Sequence, residues 1–358
     1  MITAIAVALL VAGPARLDQK FFYAGGDPSE IPQVEASGGV YTVHGQKVDP
    51  LVAMKQAGWT AIRLRIWNQP TAKFCDLHHT LAMAKRAHDA GLRVMLDFHY
   101  SDWWADPQKQ NKPAAWKDLN FADLQKALHD YSRDVVKALV DQGTPADIVQ
   151  PGNEITNGML WPDGKLEIND NGWPQITLLL KAAIAGIKEG GGANPPRIMI
   201  HLDQGGQNDV SRLWLDNYFK RGGDLDIIGL SYYPQWHGKM DELRENLRDL
   251  AKRFKKDILV AETSFPYAVR VRPGAPATQA PTSPVPGIPP TPEGQAIYLK
   301  KLTDIVKATP DHRGIGVLWW APAQIASANR RGFSSPVSLF DQNGEALPAL
   351  YTFKNAGR

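Results

Sequence analysis

The chain has 358 residues, 43% of them hydrophobic and 22% charged, a composition that excludes a disordered chain and allows a sizeable buried core. The formal net charge is only +3 and the Lys and Arg are scattered, so no basic block argues for nucleic acid. The single cysteine, Cys75, excludes an internal disulfide and gives no metal-site pattern.

The chain opens with an apolar run, residues 2–13, followed by Pro14-Ala15-Arg16. The run is too short to cross a bilayer and fits a signal-peptide core with a small-residue cleavage site. No Lys or Arg precedes Arg16, so the basic start of such a signal is missing. Residues 1–15 are expected to be a leader. That implies a secreted or periplasmic protein whose mature form, from residue 16 to 358, is one domain free of membrane.

After residue 20 short apolar runs alternate with stretches of helical period. Strands are expected over 21–26, 60–67, 93–99, 147–152, 197–203, 225–232, 257–263 and 314–321. Helices are expected between them, over 50–58, 77–90, 121–142, 174–189, 210–221, 240–255 and 292–308, with a last one over 347–355. Eight βα units with near-continuous apolar strands imply a buried parallel sheet, and the count suits a closed (β/α)8 TIM barrel. A doubly wound open sheet would want a Gly-rich phosphate turn after the first strand, and Gly25-Gly26-Asp27-Pro28 is a poor one. Residues 268–292 contain eight prolines and no Asp or Glu, which reads as an extended loop or lid rather than a domain linker.

Chemistry concentrates where strands end. The run Asp147-Ile148-Val149-Gln150 leads to Gly152-Asn153-Glu154, and Ile258-Leu259-Val260 leads to Ala261-Glu262-Thr263. An unpaired buried carboxylate is expensive, so packing does not explain either Glu. Alternation along a strand puts Glu154 with Gln150 and Gly152, and Glu262 with Ile258 and Val260, so both are expected to project inward at the rim. Two carboxylates across one bond are the equipment of a glycoside hydrolase. By the same alternation Arg63 and Arg65 share the inner face of the second strand, and Asp97 and His99 that of the third. Buried charges must be paired. One arginine is expected to pair with Asp97 and the other to hold a catalytic carboxylate ionised. His201-Leu202-Asp203, after the fifth strand, suits either a hydroxyl ligand or a satisfied turn. Nine histidines include no HExxH, and His78-His79 is the one close pair, so no metal and no cofactor are expected. Eleven Trp and ten Tyr, several of them in polar loops, suit sugar rings.

These residues and their neighbours resemble the clan A barrel glycosidases, and the flanking text narrows the likeness. Arg63-Leu64-Arg65-Ile66-Trp67-Asn68, Asp97-Phe98-His99-Tyr100-Ser101-Asp102, Gly152-Asn153-Glu154-Ile155-Thr156-Asn157-Gly158-Met159-Leu160-Trp161-Pro162 and Ala261-Glu262-Thr263-Ser264-Phe265-Pro266 are similar to the family 53 endo-β-1,4-galactanases, as are Ile200-His201-Leu202-Asp203 and Gly229-Leu230-Ser231-Tyr232-Tyr233-Pro234. The resemblance implies a retaining hydrolase of β-1,4-galactan or type I arabinogalactan, acting as a monomer. Glu154 would be the acid/base and Glu262 the nucleophile. Asn153 would meet the sugar 2-hydroxyl, Arg63 would stand beside the nucleophile, and His99, Tyr232 and Trp320 would line the subsite of the reacting sugar. Another clan A activity, on mannan, cellulose or a different galactoside, is the alternative, as is a catalytically weakened sugar-binding barrel. Three departures bear on this: Pro151 in place of an aliphatic residue, Ala321 in place of Glu, and the first-strand ending Gly26-Asp27-Pro28. The proline-rich loop also lacks the carboxylates of the calcium site, and the single Cys lacks the disulfide, that occur in relatives.

Overall fold

The structure is a computed structural model that describes residues 21–166, 172–268, 283–326 and 335–355. The expected leader, residues 1–15, and residues 269–282 of the proline-rich loop lie outside the described residues.

Eight parallel strands close into a barrel: β1 (Tyr23–Asp27), β2 (Ala61–Ile66), β3 (Arg93–Phe98), β4 (Ile148–Pro151), β5 (Arg197–Leu202), β6 (Ile227–Ser231), β7 (Asp257–Thr263) and β8 (Gly314–Trp320). Each lies beside its sequence neighbour, and β1 pairs with both β2 and β8. All eight expected strands are present. The helices α1 (Pro50–Gln56), α2 (Leu77–Asp89), α3 (Phe121–Asp141), α4 (Trp173–Gly191), α5 (Asn208–Lys220), α6 (Met240–Phe254) and α7 (Pro292–Lys307) surround them. The last segment, Pro348–Asn355, is a 3-10 helix rather than an α-helix.

Local chemistry fixes the helix starts. Asp49, Asp76, Asn120 and Thr291 each accept a backbone N–H from the first turn of α1, α2, α3 and α7, satisfying donors that a helix start leaves free. Pro50 and Pro292 occupy first-turn positions, where no amide hydrogen is needed. The outward side chains of β2, Ile62, Leu64 and Ile66, join the apolar layer between barrel and helices. A separate small cluster that includes Ala61, Met95, Met199, Leu259 and Leu318 fills the barrel axis. This is the alternation expected from the sequence.

A short helix, Ile31–Ala36, and a hairpin, Tyr41–Val43 with Gln46–Val48, elaborate the connection after β1. They are too short to leave a periodic signal in the sequence. Glu345 fastens the hairpin by accepting Thr42 Oγ1 at 2.6 Å and the His44 N–H at 2.7 Å.

Helices α3 and α4, which deliver the chain to β4 and β5, approach closely enough that only glycine fits between them. A Cβ on Gly186 would stand 2.1 Å from the His129 carbonyl oxygen, and one on Gly190 2.4 Å from that of Arg133. Gly186→Ala should therefore force the helices apart and destabilise the fold by about 1–3 kcal/mol, despite the better helix propensity of Ala. A shift of the urea midpoint to lower concentration checks this; an unchanged or higher midpoint contradicts the close approach.

Candidate active site

The carboxyl ends of the strands surround a cleft of about 650 Å³ lined by Trp104, Asn153, Glu154, Asp203, Tyr233, Trp236, Glu262 and Trp320, among others. Glu154 and Glu262 face each other across its floor. One oxygen of each, together with a ring nitrogen of His201, lies within 4.8 Å of the others.

The two carboxylates reach this floor by different backbone devices, and neither is simple alternation. On β7 the residues that face the barrel axis are Leu259 and Ala261, while Ile258 and Val260 face the helices. Glu262 has the parity of the outward set. A bulge turns it inward: Leu230 pairs with Val260, but the next residue of β6, Ser231, pairs with Glu262 and skips Ala261. The expectation that Glu262 shares an inner face with Ile258 and Val260 is therefore corrected, because the bulge and not the alternation aims it. On β4 the strand stops at Pro151. Gly152 then takes φ +95°, where a Cβ would come within 2.8 Å of Ile155. Glu154 itself sits in the left-handed region, at φ 48° and ψ 54°. Glycine tolerates that conformation; a Glu held there is strained backbone at the point of chemistry.

Arg63 occupies the centre beneath the cleft and is fully buried. Its Nη1 lies 2.9 Å from Glu262 Oε1 and 3.4 Å from Asp27 Oδ2. Its Nη2 lies 2.9 Å from Asp97 Oδ2 and donates to Asn153 Oδ1 at 2.8 Å, and its Nε donates to Gln150 Oε1 at 3.2 Å. One arginine thus performs both roles expected of two. Arg65 pairs with Asp27 instead of Asp97, at 3.1 Å, and its guanidinium lies over the Trp104 ring at 4.4 Å from the centroid. Asp27 belongs to the altered first-strand ending, and it is the residue that bridges the two arginines.

The remaining expected site residues separate into two groups. Asn153 and Trp320 line the cleft. His99 lies below it: its Nδ1 accepts the Ala105 N–H at 2.9 Å, and its Nε2 is 3.0 Å from Asp97 Oδ2. Tyr232 does not reach the cleft. It is fully buried in the outer apolar layer, and its hydroxyl donates to the Gly238 carbonyl at 3.0 Å. The tyrosine at the site is Tyr233, whose hydroxyl donates to Glu262 Oε2 at 2.9 Å. The sequence signal for it was alternation, since Ile227 faces the barrel axis and Ser231 and Tyr233 share its parity. Ser231 and His201 are further site residues. Ser231 Oγ is hydrogen-bonded to Glu154 Oε1 at 2.5 Å and lies 2.9 Å from His201 Nε2. A second, smaller cavity of about 260 Å³ adjoins the cleft behind Trp104 and Trp320, lined by Glu30, Arg65, Trp67 and Ala321. Burial pushes the Glu30 carboxyl there up to about 7.

The environments of the two glutamates differ. Burial raises the pKa of both. At Glu154 the charge of Glu262 adds to burial and carries it well above the ordinary carboxylate value. At Glu262 the Arg63 guanidinium works against burial. A single proton shared by the pair therefore resides on Glu154. Burial, with the Tyr233–Glu262 contact, keeps the Tyr233 phenol protonated.

A closed parallel barrel with two opposed carboxylates in unequal environments at its carboxyl rim defines a (β/α)8 glycoside hydrolase. The sequence model described as "Glycosyl hydrolase family 53" matches residues 23–353, and the chain belongs to that family. A Niallia circulans protein described as an uncharacterized protein in the bgaB 5′ region is 41% identical, over 94% of this chain and 95% of its own. An arabinogalactan endo-beta-1,4-galactanase of Thermothelomyces thermophilus is 36% identical, over 93% of this chain and 98% of its own. The solved GH53 catalytic domain of Ignisphaera aggregans superposes with a TM-score of 0.84 at 33% identity, covering 98% of this chain and all of that one (100%).

The charge at the barrel centre makes a test of stability. Burial alone would raise Asp97, but Arg63 and His99 bring it below its ordinary value. A lowered carboxylate stabilises the fold above its unfolded pKa, about 3.9, and that contribution fades as pH falls through the folded value. Arg63→Met removes the partner of three buried carboxylates. The variant should be destabilised by about 3–5 kcal/mol at neutral pH, and by less at about pH 3, where the contribution of Asp97 is fading. Urea unfolding of both proteins at the two pH values checks this. An equal loss at both would mean that Arg63 acts through packing alone.

Proposed function

We propose that the protein is an endo-acting β-1,4-galactanase that cleaves galactan and type I arabinogalactan with retention of configuration. The observation that carries this reading is the close, unequal carboxylate pair. Oxygens within 4.8 Å leave too little space for the water that an inverting enzyme seats between its carboxyl groups, a geometry that needs about 6.5–9.5 Å. Family membership and the galactanase names of relatives supply the substrate class.

Glu154 protonates the glycosidic oxygen as Glu262 attacks the anomeric carbon. The leaving sugar departs, and the reacting sugar is held as an ester of Glu262. Glu154, now ionised, takes a proton from water, and the oxygen of that water displaces Glu262. Arg63 and Tyr233 stabilise the Glu262 carboxylate in the free enzyme and as it leaves in the second step. The open cleft, with Trp104, Trp236 and Trp320 in its lining, suits a polysaccharide that enters along its length. Two carboxylates and water complete the chemistry, so the reading calls for no cofactor. Action as a monomer belongs to the same reading. The apolar run at residues 2–13 supports export, and among the described residues no helix is long and apolar enough to cross a membrane.

Release of reducing ends from a panel of β-1,4-galactan, mannan and cellulose tests the substrate: hydrolysis confined to mannan or cellulose would overturn it. The roles of the pair have their own signature. Glu262→Gly should abolish turnover of galactan, and azide should then convert an activated galactoside to a product of inverted configuration. Glu154→Ala should lose about 10²–10⁴-fold on galactan yet still form the glycosyl-enzyme from a substrate with a good leaving group, and azide should then give the retained product. The same anomer from both variants would refute the assignment.

A further inference from the structure

Resting on that reading, the inward residues of β5 and β6 form a chain that ends on Glu154. Glu154 Oε1, Ser231 Oγ and His201 Nε2 follow one another at 2.5 and 2.9 Å, and His201 Nδ1 lies 3.0 Å from Asn153 Oδ1. All four side chains are buried. The far end of the chain fixes where its hydrogens sit. Asn153 Nδ2 donates to the Ala105 carbonyl at 2.9 Å, so the oxygen of this amide faces His201. Gln150 Oε1 takes the Arg63 Nε–H, and the two hydrogens on Gln150 Nε2 have nearer acceptors, Asp97 Oδ1 at 2.6 Å and Gly152 O at 3.0 Å, than His201 Nδ1 at 3.2 Å. Arg63 Nη2 is 3.4 Å from Nδ1 and already donates to the nearer Asn153 Oδ1 at 2.8 Å. The closest neighbour of Nδ1 is thus an acceptor, and the ring must carry its hydrogen there. Burial and the Arg63 charge keep the ring neutral, so Nε2 is left as a lone pair. Nε2 takes the single Ser231 hydrogen. Ser231 Oγ can then only accept from Glu154.

We propose that His201 and Ser231 are positioning residues that hold the acid proton on Glu154 Oε1 in the resting enzyme. When Glu154 gives that proton to the glycosidic oxygen, no hydrogen on Nε2 can follow. The Ser231 hydroxyl turns to the new carboxylate and leaves Nε2 facing an oxygen lone pair. Taking a proton from water restores the resting arrangement, so the relay favours the base step as well. The charged and titratable groups around Glu154 are Glu262 on β7, Arg63 on β2 and Asp203 beyond β5. Asp27, Asp97 and His99 lie beyond Arg63, and Tyr233 and His237 line the cleft after β6. All of these are retained in the variants below.

Two expectations differ in sign. If Ser231 served only as a donor to a carboxylate, its removal would raise the pKa of Glu154. If it accepts from the acid, removal lowers it. In Ser231→Ala and His201→Phe the alkaline limb of kcat/KM on galactan should move to lower pH by about one unit, a tenfold change in the acid equilibrium. KM at the optimum should hold, and Ser231→Thr should restore the wild-type limb. Ser231→Ala replaces a small side chain and carries the test alone if His201→Phe does not fold. Carboxyl carbon-13 NMR of the free enzyme, with Glu154→Gln to assign the signal, reads the same pKa without substrate. It separates failure of the relay from failure of the galactan reading. A limb or a Glu154 titration that moves to higher pH, or does not move, overturns the proposal.

Discussion

The site depends on one buried guanidinium. Arg63 cannot lose its proton, and taking it out of water is costly unless every N–H finds an acceptor. The barrel supplies acceptors from four strand ends: Asp27 on β1, Asp97 on β3, Gln150 with Asn153 on and after β4, and Glu262 on β7. The planar fork of the side chain then fixes where those groups stand, which a lysine could not do. Charge balance follows from the same contacts. Arg63 and Arg65 face Asp27, Asp97 and Glu262, so two cations meet three carboxylates. A fourth carboxylate, Glu154, would add a further negative charge to a site with no further cation in contact among the described residues. The proton on Glu154 is thus a consequence first of its burial and then of the Glu262 charge that Arg63 holds beside it.

Much of this was legible in the sequence. Ile62, Leu64 and Ile66 alternate with Ala61, Arg63 and Arg65 so regularly that the arginines had to face the barrel axis. Each run of that kind marked a strand. What alternation could not show was any place where the backbone departs from a regular strand. Glu262 has the wrong parity and is rescued by a bulge at Ala261, which no propensity announces. Glu154 lies past the end of β4, so the face it shares with Gln150 is set by the turn at Gly152. Tyr232 was placed at the cleft by resemblance, although the period of two pointed to Tyr233. Asp27 stood out only as an unusual strand ending. Its role depends on both arginines converging from β2, a fact of three dimensions.

The departures from regular backbone gather at the rim that carries the chemistry. Tyr100 after β3, Glu154 after β4 and Ala321 after β8 all have positive φ, between 43° and 50°. Such positions cost on the order of 1 kcal/mol or more each and persist only where packing over-determines them. Tyr100 is held by stacking on Phe98, with ring planes 7° apart, and by its 2.7 Å contact with Ser132 of α3. Helix α3 is in turn locked to α4 through Gly186 and Gly190. The regular layer of helices therefore supplies the rigidity with which irregular strand ends present Glu154 and Glu262.

Pro151 fits this division. In a central strand a proline removes a ladder donor, which would loosen the segment that carries Glu154. The pairing of β4 with β5 runs only through Ile148 and Val149. By residue 151 the strand has parted from that neighbour, so on that side no ladder donor is lost. What proline adds there is a fixed φ immediately before the Gly152 turn, which narrows the conformations open to the unfolded chain at the residue that leads into that turn. The substitution that looked like a defect in the strand is better understood as a brace for the turn that follows it and carries Glu154 to the cleft.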